Sequence, residues 1–291
     1  MKRILITGGT GFIGRNLVEM LRGRYEIYAP SHRELELTDY DALESYVKQN
    51  GIDAIVHAAI HVPQFNGEEK EFFNDMLMFM NLEKISNQVE KLLYFGSGAE
   101  YDKRFHIRDV RETDWGCSIP ITEYGLAKYI MNAVARKSRN IYNLRLFGIF
   151  GKYELWQIKY ISNLCCKAVF DLPLTIRKDC QFNFFYIEDL PAVVERFLTE
   201  SPQYHDYNVC HSKSYWLSEL AETVNDVCGK SLEIRLLSDE KNLDYTAVNQ
   251  RLLTEFPSLH ITPMKQAIED LYHYYERSKD LIDYNTLKQS R

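Results

Sequence analysis

The most constraining feature of this 291-residue chain is a glycine-rich turn close to its N-terminus. The turn follows the apolar run Ile4-Leu5-Ile6 and opens a stretch whose apolar residues recur at helical spacing. In such a unit Gly8 permits a tight turn, Gly11 lets backbone amides approach a pyrophosphate, and Gly14 allows the helix to pack closely on the strand. The helix N-terminus adds amide donors and a partial positive charge. The pattern therefore predicts a dinucleotide site formed by Gly8, Thr10, Gly11, Phe12, Ile13 and Gly14.

Strands and helices alternate along the first half of the chain. The hydrophobic pattern predicts strands at 4–6, 25–28, 54–57, 92–95 and 141–146. It predicts helices between them at 41–50, 72–89 and 124–138. This alternation is typical of an α/β protein, and we expect a Rossmann-type doubly wound parallel sheet with helices on both faces.

The rhythm changes after Gly151, where the pattern predicts a helix at 153–170, a strand at 182–186 and a helix at 189–198. We expect residues 1–150 to form the dinucleotide-binding Rossmann domain, to which 181–200 return. Residues 151–291 are expected to form mainly a smaller, mixed α/β C-terminal lobe that binds the substrate.

Composition excludes several other classes of protein. The 35 Lys and Arg residues against 41 Asp and Glu give a net charge of −6, which argues against a nucleic-acid surface. No apolar run approaches the roughly 20 residues of a membrane span. Gly8 and Gly9 interrupt the first apolar run at once, so we expect no signal peptide and a cytoplasmic protein. The six cysteines lack metal-ligand spacing and are expected to be reduced thiols, with no metal site.

The end of the second predicted strand bears on the choice of dinucleotide. An acid at this place usually bonds the ribose 2′-hydroxyl of NAD, whereas an arginine accommodates the 2′-phosphate of NADP. Here Ser31 and Arg33 occupy it, and no acid appears before Glu34. Arg33 can pair with a phosphate through two donors, so NADP is predicted. NAD stays possible if Glu34 contacts the ribose instead.

A tyrosine and a lysine, Tyr124 and Lys128, stand four residues apart on a predicted helix and therefore share one face. A nearby ammonium stabilises a phenolate, so we expect Lys128 to lower the pKa of Tyr124 and make it a usable acid or base. Ser97 lies just past the fourth strand, where ligands bind in sheets of this kind, and its hydroxyl can bond a substrate carbonyl.

Together these stretches resemble the extended short-chain dehydrogenases/reductases that act on nucleotide sugars, the NAD-dependent epimerase/dehydratase family. The branch with the greatest similarity contains GDP-fucose synthase and other NDP-4-keto-6-deoxy-sugar reductases. The matching stretches cover most of the chain; they are the turn at 8–14, the segment 53–59, Asn74 with Asn81, Ser97 with Tyr101, Tyr124 with Lys128, Arg145 with Gly148 and Gly151, the segment 184–189, and the segment 249–252.

The resemblance implies NADPH-dependent reduction of a 4-keto nucleotide sugar by a homodimer. Tyr124 would give its proton to the carbonyl oxygen, Ser97 would orient that oxygen, and Lys128 would hold the nicotinamide ribose. Further cofactor contacts are expected from His57, Ala58 and Ala59. An NAD-dependent 4-epimerase stays open as an alternative, as does a dinucleotide sensor without activity. A dehydratase is disfavoured because Gly98 and Ala99 stand where such enzymes carry an acid–base pair.

One departure from the branch concerns epimerisation. GDP-fucose synthase epimerises next to the ketone with a cysteine two residues beyond the serine and a histidine on a later helix. Here Ala99 holds the place of the cysteine, and Lys159 falls near that of the histidine. Alanine neither accepts nor delivers a proton, and a lysine serves as base only where burial lowers its pKa. We therefore predict reduction without epimerisation.

Overall fold

The computed structural model describes residues 1–61 and 71–290. In chain order its strands are β1 (Arg3–Thr7), β2 (Glu26–Tyr28), β3 (Ala54–His57), β4 (Lys91–Ser97), β5 (Ile107–Val110), β6 (Ile141–Leu146), β7 (Ile149–Phe150), β8 (Leu174–Ile176), β9 (Gln181–Phe182), β10 (Phe185–Tyr186), β11 (Asp206–Val209), β12 (Tyr215–Trp216), β13 (Ile234–Leu236) and β14 (Tyr245–Ala247). Its α-helices are α1 (Phe12–Leu21), α2 (Tyr40–Asn50), α3 (Glu71–Ile85), α4 (Glu123–Ala135), α5 (Tyr160–Val169), α6 (Leu190–Thr199), α7 (Leu217–Cys228), α8 (Gln250–Glu255), α9 (Met264–Arg277) and α10 (Tyr284–Gln289).

The central sheet has six parallel strands in the order β11-β6-β4-β3-β1-β2. Apart from the edge strand β2, its strands are almost entirely buried because helices cover both faces. Ile4 and Ile6 belong to one buried cluster with α1, α5 and α9, whereas Leu5 belongs to a second cluster with α2, α3 and α4. Successive side chains of β1 therefore pack alternately into two cores, one on each face of the sheet. The predicted doubly wound α/β fold is confirmed.

Strand order reverses between β1 and β3, because the chain runs from β1 outward to β2 and then returns to β3 on the other side. In open α/β sheets ligands bind beyond the carboxyl ends of the strands at such a switch point. The glycine turn follows β1, and Ala58 and Ala59 follow β3, so both predicted cofactor stretches lie at this place.

Two predicted elements differ from the structure. The predicted helix at 153–170 is wrong over its first seven residues, since α5 begins at Tyr160. Tyr153 has a left-handed backbone with φ of 70°, and its side chain packs on α1, where the Arg15 guanidinium lies 3.6 Å from the ring centroid. The predicted strand at 182–186 is divided at Asn183 into β9 and β10, which pair in different sheets.

The second half of the chain contributes to several small sheets. β12, β9, β14 and β5 form a four-stranded sheet, and β10 pairs with β7 and β13 with β8. β11 returns to the edge of the central sheet, and α6 packs against α1. The pairing of β14 with β5 brings the C-terminal part of the chain beside the turn that follows β4. The division into a cofactor domain and a substrate lobe stays a prediction.

Other expectations concern surfaces and thiols. All six cysteines are free. Across residues 1–61 and 71–290, no helix has both the length and the apolar character needed to cross a membrane. Over the same ranges no group of three His, Cys, Asp or Glu residues is arranged to hold a metal ion. Phe73 and Met80 are exposed on α3, and the homodimer stays a prediction.

Candidate active site

The glycine turn joins β1 to α1 with very little room. The backbone of Gly8 is left-handed, with φ of 68°, and a Cβ placed there would lie 2.7 Å from the Ala59 nitrogen. A Cβ on Gly14 would lie 2.1 Å from the Gly8 carbonyl oxygen. Gly11 is exposed at the N-cap of α1, which has no side-chain cap and no acid in its first turn. The first amides of α1 are therefore open to an anionic ligand.

The other predicted residues of this turn are divided by burial. Thr10 is exposed beside Gly11, whereas Phe12 and Ile13 are half-buried and pack against the core beneath α1. The exposed side of the turn is therefore polar and can meet a pyrophosphate, while its buried side is apolar and packs on the core.

His57 lies at the end of β3 and links it to β1. Its Nδ1 is 2.8 Å from the Thr7 Oγ1, and the same hydroxyl accepts a hydrogen bond from the Ala59 amide at 3.3 Å. Burial, together with the nearby Lys128 ammonium, lowers the pKa of His57 to about 3. His57 is therefore neutral at physiological pH, and it holds the Ala58–Ala59 segment against the glycine turn. A direct cofactor contact stays a prediction.

Beyond β2, the Glu34 carboxylate is already engaged by Ser31. It accepts hydrogen bonds from the Ser31 amide at 2.7 Å and from the Ser31 hydroxyl at 2.8 Å. These two hydrogen bonds, and the one from the amide most, lower the pKa of Glu34. Arg33 is exposed next to this turn. The guanidinium is therefore free to meet a ligand phosphate, while the neighbouring carboxylate is turned toward its own chain.

Ser97 ends β4 and caps the short 3-10 turn that follows. Its Oγ accepts a hydrogen bond from the Ala99 amide at 3.2 Å, and its own amide donates to the Glu100 carboxylate at 3.2 Å. Beneath the turn, the fully buried Arg145 donates to the same carboxylate at 2.8 Å. Burial raises the pKa of Glu100, and the Arg145 guanidinium opposes that rise. The Ser97 backbone is thus fixed from below by a buried ion pair.

Tyr124 and Lys128 share one face of α4, as predicted, and their side chains point toward Ser97. Thr122 caps the helix by accepting a hydrogen bond from the Gly125 amide at 3.2 Å. Lys128 is buried, and its Nζ lies 5.8 Å from the centroid of the Tyr124 ring. The Ser97 hydroxyl is close enough to Tyr124 to act on the pKa of the phenol. The structure therefore brings all three predicted catalytic residues together.

The prediction that Lys128 lowers the pKa of Tyr124 is wrong for the chain without a bound ligand. Burial raises the pKa of Tyr124 to about 12, and the negative charges of Asp75 and Glu100 add to the rise, while the nearby Ser97 hydroxyl opposes it. Lys128 is itself affected, because burial lowers its pKa and the nearby Asp75 works in the opposite direction. The phenol is therefore held as a neutral acid.

Sequence reasoning missed Tyr245, a second phenol that reaches this site from β14. The Tyr245 hydroxyl lies at the Gly98 turn, and burial raises its pKa while the neighbouring Ser97 hydroxyl opposes that rise. No sequence signal marks Tyr245, because it is one of 20 tyrosines and belongs to no recognisable motif. Glu100 could have been found, since a carboxyl in an otherwise apolar stretch beside Ser97 indicates a buried partner.

Ala99 and Lys159 differ in burial. Ala99 is buried two residues after Ser97, while Lys159 is exposed at the N-cap of α5. The burial that would make a lysine a base is therefore missing at Lys159.

Residues 4–210 match the NAD dependent epimerase/dehydratase family. The chain belongs to this family. It is 23% identical over 308 aligned residues to the GDP-L-colitose synthase of Yersinia pseudotuberculosis, which covers 96% of this chain and 99% of that protein.

Solved structures give the same fold. A GDP-L-fucose synthetase from Naegleria fowleri bound to NADP superposes with a TM-score of 0.80 at 15% identity, over 96% of this chain and 95% of that one. A dTDP-glucose 4,6-dehydratase from Bacillus anthracis in complex with NAD has a TM-score of 0.79 at 17% identity, over 99% and 100%. The resemblance found in the sequence is confirmed, and a nicotinamide dinucleotide is supported as the cofactor class.

Proposed function

We propose that this enzyme of the epimerase/dehydratase family reduces a 4-keto nucleotide sugar with NADPH. The observation that carries the proposal is the meeting of Ser97, Tyr124 and Lys128 around a phenol held in its protonated form. Reduction of a ketone needs a proton donor at the carbonyl oxygen, and a phenol with a pKa of about 12 is protonated at every physiological pH.

The turn after β1 fits a dinucleotide. Side chains larger than hydrogen are excluded at Gly8 and Gly14 by the backbone itself, and the open N-terminus of α1 offers amides to a pyrophosphate. When bound, the cofactor supplies the hydride, and the protein supplies position and electrostatics. Arg33 would contact the 2′-phosphate, which supports NADP over NAD, since Glu34 is engaged by Ser31.

The chain's own residues account for the proton. Tyr124 would donate its phenolic proton to the carbonyl oxygen, and Ser97 would donate a hydrogen bond to the same oxygen as negative charge develops on it. Lys128 would stabilise the phenolate left behind, because its buried ammonium lies close to the ring. Positioned donors of this kind contribute roughly two to four powers of ten in rate.

Two lysines support an anionic substrate. Lys103 and Lys159 lie near each other, and the Lys159 ammonium also acts on the buried Glu154 carboxyl. Partial desolvation lowers the pKa of Lys103, and the Lys159 ammonium adds to this. Two neighbouring ammonium groups attract an anion, and a nucleotide sugar carries a diphosphate. The relative named GDP-L-colitose synthase supports the same class of substrate.

The runner-up is an NAD-dependent 4-epimerase. Such an enzyme first removes a proton from a sugar hydroxyl, for which Tyr124 would have to act as phenolate. The raised pKa of Tyr124 opposes that role in the chain by itself.

A panel of NDP-4-keto-6-deoxy sugars, followed by the loss of NADPH absorbance, tests the proposal. At least one sugar is expected to be reduced, and Tyr124→Phe should lower kcat by roughly two to four powers of ten while cofactor binding is retained. Tyr129→Phe, on the same helix and stacked on Trp115 at 4.5 Å, is the matched control and should stay active. Near-normal turnover by Tyr124→Phe would contradict the assignment, and interconversion of 4-epimers with NAD would favour the runner-up.

A further inference from the structure

Tyr245 is held rigidly by aromatic neighbours. Its ring centroid lies 4.9 Å from that of Phe147 and 4.7 Å from that of Phe182, and the Lys103 Nζ is 4.8 Å from the ring. Only 7% of the residue is exposed. β14, which carries it, is paired with both β5 and β9. The phenol therefore has little freedom to turn away from the place to which it points.

That place is the turn after Ser97. A Cβ on Gly98 would lie 2.4 Å from the Tyr245 hydroxyl oxygen, so the tip of the phenol rests directly on this turn. The absence of a side chain at Gly98 is what admits the hydroxyl. Burial raises the pKa of Tyr245, and the neighbouring Ser97 hydroxyl works in the opposite direction. Tyr245 is thus a protonated phenol whose hydroxyl lies at the turn beside Ser97.

The capacity of a serine hydroxyl is small. It has one proton to donate and two lone pairs to accept with. The Ala99 amide takes one lone pair of Ser97 at 3.2 Å. If a second donor takes the other lone pair, the serine has only its proton left to offer, and it must act as a donor.

We propose that Tyr245 is a positioning residue whose hydroxyl donates to the Ser97 Oγ and so fixes Ser97 as a hydrogen-bond donor toward the substrate. The inference rests on the proposed function only for the identity of the acceptor, which is the carbonyl oxygen. The pairing of the two hydroxyls is a property of the chain alone. Tyr124, the third hydroxyl of the cluster, then delivers its proton to an oxygen that Ser97 already holds.

The pairing is tested first without cofactor or substrate. Thermal unfolding is measured for the wild type, Ser97→Ala, Tyr245→Phe and the double variant. Hydroxyls that bond each other give non-additive changes, so the double variant should lose little more Tm than the more affected single variant. Strictly additive losses would overturn the pairing, whatever the enzyme does with a sugar.

The role is tested second by steady-state kinetics on the reduced sugar. Loss of one hydrogen bond predicts a fall of about fivefold to tenfold in kcat for Tyr245→Phe, with KM within about twofold of the wild type. In the Ser97→Ala background the same substitution should have no further effect, because Tyr245 acts only through Ser97. A further loss in that background would overturn the positioning role and make Tyr245 a direct substrate contact.

Tyr275→Phe is the matched control. It removes a phenolic hydroxyl from another buried tyrosine, on α9, and is expected to leave kcat and KM unchanged. If the thermal measurements show coupling but no 4-keto sugar is reduced, the proposed function fails while the pairing of Tyr245 with Ser97 stands.

Discussion

Tyr124 shows how strongly its surroundings decide what a residue pair can do. It shares a helix face with Lys128, as the sequence predicts, yet its pKa rises because burial disfavours the phenolate and the charges of Asp75 and Glu100 add to that effect. The Lys128 ammonium also interacts with the Asp75 carboxyl, so it does not act on Tyr124 alone. The tyrosine is consequently suited to giving a proton and poorly suited to taking one.

In our proposal Arg33 is the residue that favours NADP over NAD, and its substitution tests that preference. A charge-assisted contact to the 2′-phosphate contributes about 1.5–3 kcal/mol, so Arg33→Ala should weaken NADPH binding by roughly ten- to a hundredfold and leave NADH binding unchanged. Calorimetric titration with both cofactors measures this. Arg277→Ala, an exposed arginine at the end of α9, is the control. Equal affinities of the wild type for both cofactors would refute the preference.

The place of Ala99 predicts the fate of the protons next to the ketone. Neither the buried Ala99 nor the exposed Lys159 can remove them, so reduction in D₂O with protiated NADPH should put no deuterium on the flanking carbons. Mass spectrometry of the sugar product is the measurement, and a GDP-fucose synthase is the positive control. Deuterium above the level without enzyme would reveal an acid–base pair elsewhere in the site.

At this scale, residues in local motifs could be predicted and those held by distant contacts could not. The proximity of Ser97, Tyr124 and Lys128 could be predicted because a strand end and a helical spacing of four fix their positions. Tyr245 was missed because its role depends on the pairing of β14 with β5, which no local pattern encodes.

Among the elements, the β1–α1 unit offers the most direct test of the cofactor site. Gly11 has φ of −79°, and a Cβ there would lie 3.3 Å from the Gly8 carbonyl oxygen, so Gly11→Ala should fold with little change in Tm. The added methyl group would stand where backbone amides meet the pyrophosphate, and we expect NADPH affinity to fall at least about tenfold, or ~1.4 kcal/mol.

Gly14→Ala is the contrasting variant. Its Cβ would overlap the Gly8 carbonyl oxygen at 2.1 Å, so the backbone of α1 must move, at a cost of roughly 1–3 kcal/mol in the free energy of unfolding. Calorimetry and thermal unfolding of both variants separate obstruction of a ligand from loss of packing. Unchanged NADPH binding by Gly11→Ala would contradict a pyrophosphate at this turn.

The elements that the sequence predicted well are those whose periodicity agrees with their surroundings. β3 at 54–57 and β6 at 141–146 have the predicted bounds, and α2 begins one residue before its predicted start. The sequence predicts a helix over 153–159 because the composition of this segment permits one. There the contact of Tyr153 with α1 overrides local propensity, as tertiary packing commonly does.

For the whole molecule, His57 predicts how stability depends on pH. The folded chain keeps it neutral down to about pH 3, whereas an unfolded imidazole takes up a proton near pH 6.5. Protons are therefore bound preferentially by the unfolded chain between these values. The stability that His57 provides is complete above pH 6.5 and is lost as the pH falls.

Urea unfolding at about pH 7 and about pH 5.5 measures this. Between the two, His57 should account for about 1 kcal/mol of the loss in the free energy of unfolding, and His57→Asn should remove that share. Glu154, whose pKa burial raises to about 7, acts in the opposite direction but equally in both proteins. His273→Asn, at an exposed site on α9, should behave as the wild type. An unchanged pH slope in His57→Asn would show that the histidine does not resist protonation.

The pairing of β5 with β14 also sets an order of events during synthesis. Ser97, Tyr124 and Lys128 leave the ribosome well before β14 is translated. Until β14 is made, the edge of β5 with which it pairs has no partner strand. Contacts between segments so distant along a chain form late, and chains fold from their N-terminus as they emerge. A nascent chain therefore contains Ser97, Tyr124 and Lys128 before the strand that completes their surroundings is made. Until then, the open edge of β5 is a place where a chaperone can hold the chain, or where two unfinished chains can join.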